Sequence, residues 1–185
     1  MKRNLIFCLL LITFFGCAPK LSTSGHYQNL VELMDSTSKG DYRILGETMP
    51  TDFWVVYNKE DYIKRFEEIG QITGPITITN LNISNVTDPV KSNRKYFQIV
   101  YYSVDMEMNT SNISAHIIDQ YKSTFGAENL KLDSINNRLY VHNENQMLAV
   151  YDKESNQWKY MEINLPIVTR VFGLETTLDL EKYVR

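Results

Sequence analysis

Cysteine is nearly missing from this chain. Its two copies, Cys8 and Cys17, sit at the very start, and none follows them. That absence removes disulfides, thiol catalysis and zinc–thiolate sites from the body of the protein. Glycine is sparse too. The eight glycines are scattered singly, so there is no glycine-rich phosphate loop, and no Gly-x-Ser-x-Gly hydrolase elbow occurs. An excess of positive charge is also lacking, since the formal net charge is −3. Nucleic acid and anionic headgroups are therefore poor partners. Metal chemistry finds little to use. His116 and Asp119 lie three apart on a helix-like segment but have no third ligand at close spacing, and they read as surface residues flanking an apolar stripe. No cofactor is implied.

One long hydrophobic run is present, Leu5 to Phe15, behind the basic pair Lys2-Arg3. It falls short of the ~20 residues that span a bilayer and reads as a secretory signal. The run closes on Phe14-Phe15-Gly16-Cys17. A small residue directly before a cysteine resembles the bacterial lipoprotein signal, although that pattern favours Leu and then Ala or Ser where Phe14 and Phe15 stand. The resemblance implies a signal peptide over 1–16, cleavage before Cys17, and acyl chains such as palmitate on that cysteine. Two or three chains at ~0.8 kcal/mol per buried methylene would hold the protein on a membrane. Losing Lys2 and Arg3 leaves seventeen basic residues against twenty-two acids, a mature charge of −5. Residues 17–24 read as a lipidated tether and 25–185 as one domain. Ala18-Pro19-Lys20-Leu21-Ser22, directly after Cys17, holds no acid, which favours a periplasm-facing anchor in a Gram-negative cell envelope.

Apolar spacing sets out the domain. Tyr27, Leu30, Val31 and Met34 make one stripe of a helix near His26–Thr37, with Ser24 as its cap; His26 itself reads as solvated. Asp41 opens a second, short helix that Pro50 stops. Thr51 to Tyr57, through Phe53, Trp54, Val55 and Val56, reads as short and extended. A clear helix runs from Lys59 to Ile69, capped by Asn58 and closed by Gly70. Ile76 and Ile78 share one strand face while Leu81 and Ile83 have the opposite phase, the sign of a β-bulge around Thr79-Asn80. Lys95 to Met108 is a long strand whose even positions face inward. That facing puts Asp105 and Glu107 outside. Asn109 to Asn112 caps a further helix, Ile113 to Phe125. A meander follows as Leu130–Asp133, Arg138–His142, Gln146–Asp152 and Gln157–Ile163, with turns at Asn143–Asn145 and Lys153–Asn156; His142 reads as a polar strand end. Leu165-Pro166 opens a helical tail.

The fold class is therefore α+β: N-terminal helices on a bent antiparallel, cone-like sheet, an extra helix in the meander and a C-terminal helical tail. Lys39-Gly40-Asp41-Tyr42 with Leu45, then Pro50-Thr51-Asp52-Phe53-Trp54, then the helix from Asn58 to Gly70, resemble the nuclear-transport-factor-2-like (SnoaL-like) superfamily. So does the closing Gln157-Trp158-Lys159-Tyr160. The inserted helix departs from that pattern. The resemblance implies a cone pocket, which the enzymes of the group supply with an inward acid, histidine or tyrosine; no catalytic position carries over. Trp54, Phe66, Tyr102 and Met106 are the expected pocket lining. The twelve tyrosines raise sugar stacking as a lesser option. The leading reading is a lipid-anchored, non-catalytic envelope domain that binds a small apolar ligand or a protein partner, a second copy included. A proton-transfer or hydrolytic enzyme, and a structural subunit of a membrane-associated complex, are the alternatives.

Overall fold

A computed structural model of the chain describes residues 18–111 and 113–184, apart from the side chains of 72 and 73. The signal segment and Cys17 lie outside the described residues. The order is α1 (Thr23–Ser38), α2 (Arg43–Thr48), α3 (Thr51–Val56), α4 (Lys59–Thr73), β1 (Ile76–Val86), β2 (Val90–Ser92), β3 (Lys95–Asn109), α5 (Ala115–Phe125), β4 (Leu130–Asp133), β5 (Arg138–Asp152), β6 (Gln157–Glu162), α6 (Leu165–Phe172) and α7 (Leu174–Glu181). This is an α+β fold with a six-stranded antiparallel sheet that is not closed.

Strands β3 and β5 form the spine. On the far side of β3, β1 pairs with its C-terminal half and β2 with its first residues. On the far side of β5, β4 pairs with Arg138–Val141 and β6 with Met147–Asp152. Two bulges bend β1, one at Thr79 as the phase switch indicates and a second at Ser84. Each bulged residue turns its hydroxyl to a β3 carbonyl: Thr79 donates to Asp105 O at 3.2 Å and Ser84 to Tyr101 O at 3.3 Å. The bulges thus bring Ile76, Ile78, Leu81, Ile83 and Val86 all opposite even positions of β3, on the inner face.

The even face of β3 is inward, as expected. Val100, Tyr102, Val104 and Met108 are buried, joined by Leu30 and Leu33 of α1 and by Tyr160 of β6. The odd face is outward only along half its length. Phe97 and Ile99 are fully buried, together with Leu148 and Val150, beneath Val168 and Phe172 of α6, Leu180 of α7 and Phe53 of α3. The C-terminal tail is therefore the cover of a second core.

Several local expectations are corrected. The cap of α1 is Ser22, whose Oγ accepts the Gly25 N–H at 3.2 Å. Its buried residues are His26, Leu30 and Leu33, while Tyr27 and Val31 are exposed. Thr51 to Val56 is helical, with Pro50 in the N-cap position. Phe53 then stacks on Tyr57 four residues on, with centroids 4.5 Å apart, and Val55 points to solvent. Helix α4 runs through Gly70 to Gly74, where φ is +71°. Gly70 instead gives room to Tyr42, whose hydroxyl occupies the space of a Cβ. Ser114, not Asn109–Asn112, caps α5. Asn143–Asn145 is no turn, since β5 passes straight through it.

Candidate functional site

The helices do not close fully on the inner face. A cavity of about 330 Å³ remains between α1, α2, α4, α5 and the sheet. Met34 comes from α1, Phe66 and Ile69 from α4, Met106 from β3 and Tyr121 from α5. Its place follows from the strand pattern. Strand β6 leaves the β5 edge at Glu162, opposite Met147, and β4 joins only at Val141. The sheet narrows there, and helices take over the wall.

Methionine is unusually concentrated in that wall. Of seven methionines in the chain, Met34, Met49, Met106, Met147 and Met161 line the cavity. Unbranched thioether chains repack easily around differing shapes. Glu162 is the single charged residue of the lining, and it is exposed. Its neighbours include phenols held in their neutral form. Burial, and after it the Glu162 charge, pushes the Tyr102 hydroxyl up to about 12 and raises Tyr62. Tyr160 is pushed up to about 12 by burial, partly offset by the Asn29 hydrogen bond. At neutral pH these hydroxyls can donate hydrogen bonds and cannot serve as bases.

Two of the four expected lining residues, Phe66 and Met106, line this cavity; Trp54 and Tyr102 are not among its lining. Trp54 packs against the second core, and its ring meets Phe53 and Tyr62 at 5.0 and 5.6 Å. Its Nε1 is buried with no hydrogen-bond partner among the described residues. Tyr102 is packed in the inner core at 6% exposure. The residues that sequence reasoning missed are chiefly Glu162 and the other methionines. The two-residue period Trp158, Tyr160, Glu162 carries the signal for Glu162, because it places that acid on the inward strand face.

The histidines divide. His26 is fully buried, against the expectation of a solvated residue. Its Nε2 lies 3.3 Å from Gln98 Oε1 and its Nδ1 3.0 Å from Tyr160 Oη. Gln98 is oriented by donating from Nε2 to Thr87 O and accepting the Leu21 N–H at Oε1. The His26 Nε2–H therefore donates to Gln98, and Nδ1 accepts from the Tyr160 hydroxyl, which itself accepts from Asn29. Burial lowers the His26 pKa, against a smaller upward pull from Gln98. His142 Nδ1 lies 2.6 Å from Asp105 Oδ1 on the outer sheet face, where both are exposed. Their hydrogen bond raises the His142 pKa and lowers that of Asp105. Glu107 pairs with Arg138 on the same face. His116 contacts Gln120, and Asp119 pairs with Lys122.

No family model matches this chain, and no curated protein or solved structure matches it either. Among the described residues, no helix is long and apolar enough to cross a membrane.

Proposed function

We propose that this protein is a lipid-anchored component of the bacterial envelope whose domain holds a small apolar ligand in the inner cavity without transforming it. The observation that carries the reading is the methionine-lined cavity of about 330 Å³. That volume lies at the lower end of the range of small-molecule sites, which are concave, largely apolar and edged by a few polar groups. The scaffold reading stays with the nuclear-transport-factor-2-like group. It is supported by helices laid on the inner face of a bulged antiparallel sheet. The anchor reading is supported by the Lys2-Arg3, apolar run and Gly16-Cys17 order.

A proton-transfer enzyme is the second reading, and Glu162 is the observation in its favour. General acid–base catalysis works best with a carboxylate held in a dry interior, whereas Glu162 stands exposed at the mouth. Turnover of a small carbonyl substrate that vanished in Glu162→Gln would establish this second reading instead.

The ligand reading is tested with a neutral naphthylamine dye that brightens in apolar surroundings. Saturable, one-site brightening is expected. Met106→Trp should fill part of the cavity and weaken dye binding about tenfold, at a folding cost of roughly 1–3 kcal/mol. Should that variant melt far below the parent, Phe66→Ala enlarges the same cavity and should alter the dye affinity. Brightening that never saturates, or that neither substitution changes, would rule the cavity out.

A further inference from the structure

The inner cavity has a polarity that its apolar lining does not explain. Every lining residue is neutral except Glu162, so the site carries one negative charge and no positive one. Among the described residues Glu162 makes no ion pair and no hydrogen bond from its carboxylate. The carboxylate lies at the end of β6, where its register with Met147 puts it on the inner face. Aromatic rings belong to the same lining. Tyr62 and Phe66 lie 5.1 Å apart between centroids, and Tyr42 reaches Phe66 at 6.2 Å. Ring faces attract cations and repel anions. The site thus combines one carboxylate and several aromatic rings with a lining otherwise dominated by methionine and aliphatic carbon.

We propose that the cavity selects an amphipathic organic cation, an ammonium group joined to a compact apolar body, with the ammonium at Glu162 and the body among the methionines. This rests on the ligand reading above and names the class of ligand. Charge complementarity carries it. An anionic head would face an unpaired carboxylate with no cation in the lining to offset the repulsion, and a neutral head would leave that carboxylate to water alone. A zwitterionic phospholipid head is disfavoured for the same reason, since its phosphate would enter beside Glu162. The effect of Glu162 on the Tyr62 and Tyr102 hydroxyls agrees with a field that reaches inward.

Four probes with one shared tail separate the possibilities: octyltrimethylammonium, octanol, octanoate and octylphosphocholine. The purified full chain is labelled on methionine methyl groups. The five lining methionines report binding, and Met108, buried outside the lining, is the internal control. Octyltrimethylammonium should bind about tenfold more tightly than octanol, as an exposed ion pair and a cation–π contact together supply. Octanoate should bind most weakly, and octylphosphocholine no better than octanol. Glu162→Gln should reduce the ammonium-to-octanol ratio to about threefold, the share left to the ring faces, while octanol affinity stays the same. Equal affinities for the ammonium and octanol in the parent would overturn the cation assignment and leave the apolar-ligand reading standing. A preference for octanoate, a cation preference undiminished by Glu162→Gln, or octylphosphocholine matching the ammonium would each overturn the assignment as well. If no probe moved a lining methyl, the apolar-ligand reading itself would fall.

Discussion

His26 is the residue whose chemistry departs most from its position in the sequence. It stands in the first turn of a helix, next to a polar segment, where a histidine is ordinarily wet. Its burial is matched by two polar partners, Tyr160 and Gln98, which are held in turn by Asn29 and by the Leu21 N–H. The neutral ring donates to Gln98 and accepts from Tyr160, so a proton on Nδ1 would face a hydroxyl already committed as donor. This has a sign in pH. The folded pKa lies below the ordinary 6.5. Between the two values the unfolded chain binds the extra proton, and stability rises with pH. The contribution is complete above about pH 6.5 and is lost as pH falls through the folded pKa. His142 works the other way, because its folded pKa is raised; its contribution is present below 6.5 and fades as pH rises through the folded value. Its pair is exposed, so solvent weakens that opposing trend. Melting temperature measured from pH 7.5 to 5 should therefore fall in the parent and in His142→Gln. It should fall less in His26→Gln, which starts from lower stability. Equal slopes in the parent and His26→Gln would show that His26 is not the titrating group.

At the scale of elements, legibility followed local periodicity and failed where distant contacts decide. Helix α4, the bulge at Thr79 and the long strand β3 all follow from spacing alone. Helix α3 did not, since Phe53-Trp54-Val55-Val56 is a β-favouring string that becomes helical because Phe53 is buried against a tail more than a hundred residues away. The same blindness hid the two-sidedness of β3. Its odd positions Phe97 and Ile99 are as apolar as the even ones, and only the packing of α6 and α7 explains why. That packing is open to measurement. Phe172 is 4% exposed and meets the Phe97 ring edge-on at 5.3 Å. Phe172→Ala should cost roughly 3–5 kcal/mol in denaturant unfolding. Leu178, on the same pair of helices but 59% exposed, should change stability by less than about 0.5 kcal/mol when replaced by Ala. If both variants unfolded alike, the C-terminal helices would not be an integral cover of the sheet.

For the whole molecule, the pocket was expected from the resemblance, and of the four residues expected to line it, Phe66 and Met106 are in the lining of the cavity and Trp54 and Tyr102 are not. Its charge was not, because the two-residue period ending at Glu162 marks the acid as inward-facing, while the helices that make a cavity beside it come from distant segments. The orientation of the domain on a membrane has a similar logic. Leu21 is held by Gln98 at 3.1 Å, and Lys20 pairs with Asp88 at 2.5 Å. If Cys17 is acylated, only the short stretch up to Lys20 separates the acyl chains from the folded body. At ~3.5 Å per residue that stretch reaches roughly 10 Å. The turn carrying Asp88 should then lie beside the lipid headgroups. The turn before β5 should point away, since β5 alone is 15 residues, or about 50 Å, long. The scarcity of cysteine makes the test clean, because a cysteine introduced after Cys17 would be the one free thiol in the acylated, processed chain. Fluorophores placed at Asp88→Cys and Asn136→Cys are compared in vesicles containing headgroup nitroxide lipid. Strong quenching at 88 and little at 136 is expected, and Cys17→Ser should release the protein from membranes and abolish both. Equal quenching at the two sites would refute the orientation, and membrane association that survives Cys17→Ser would refute the anchor.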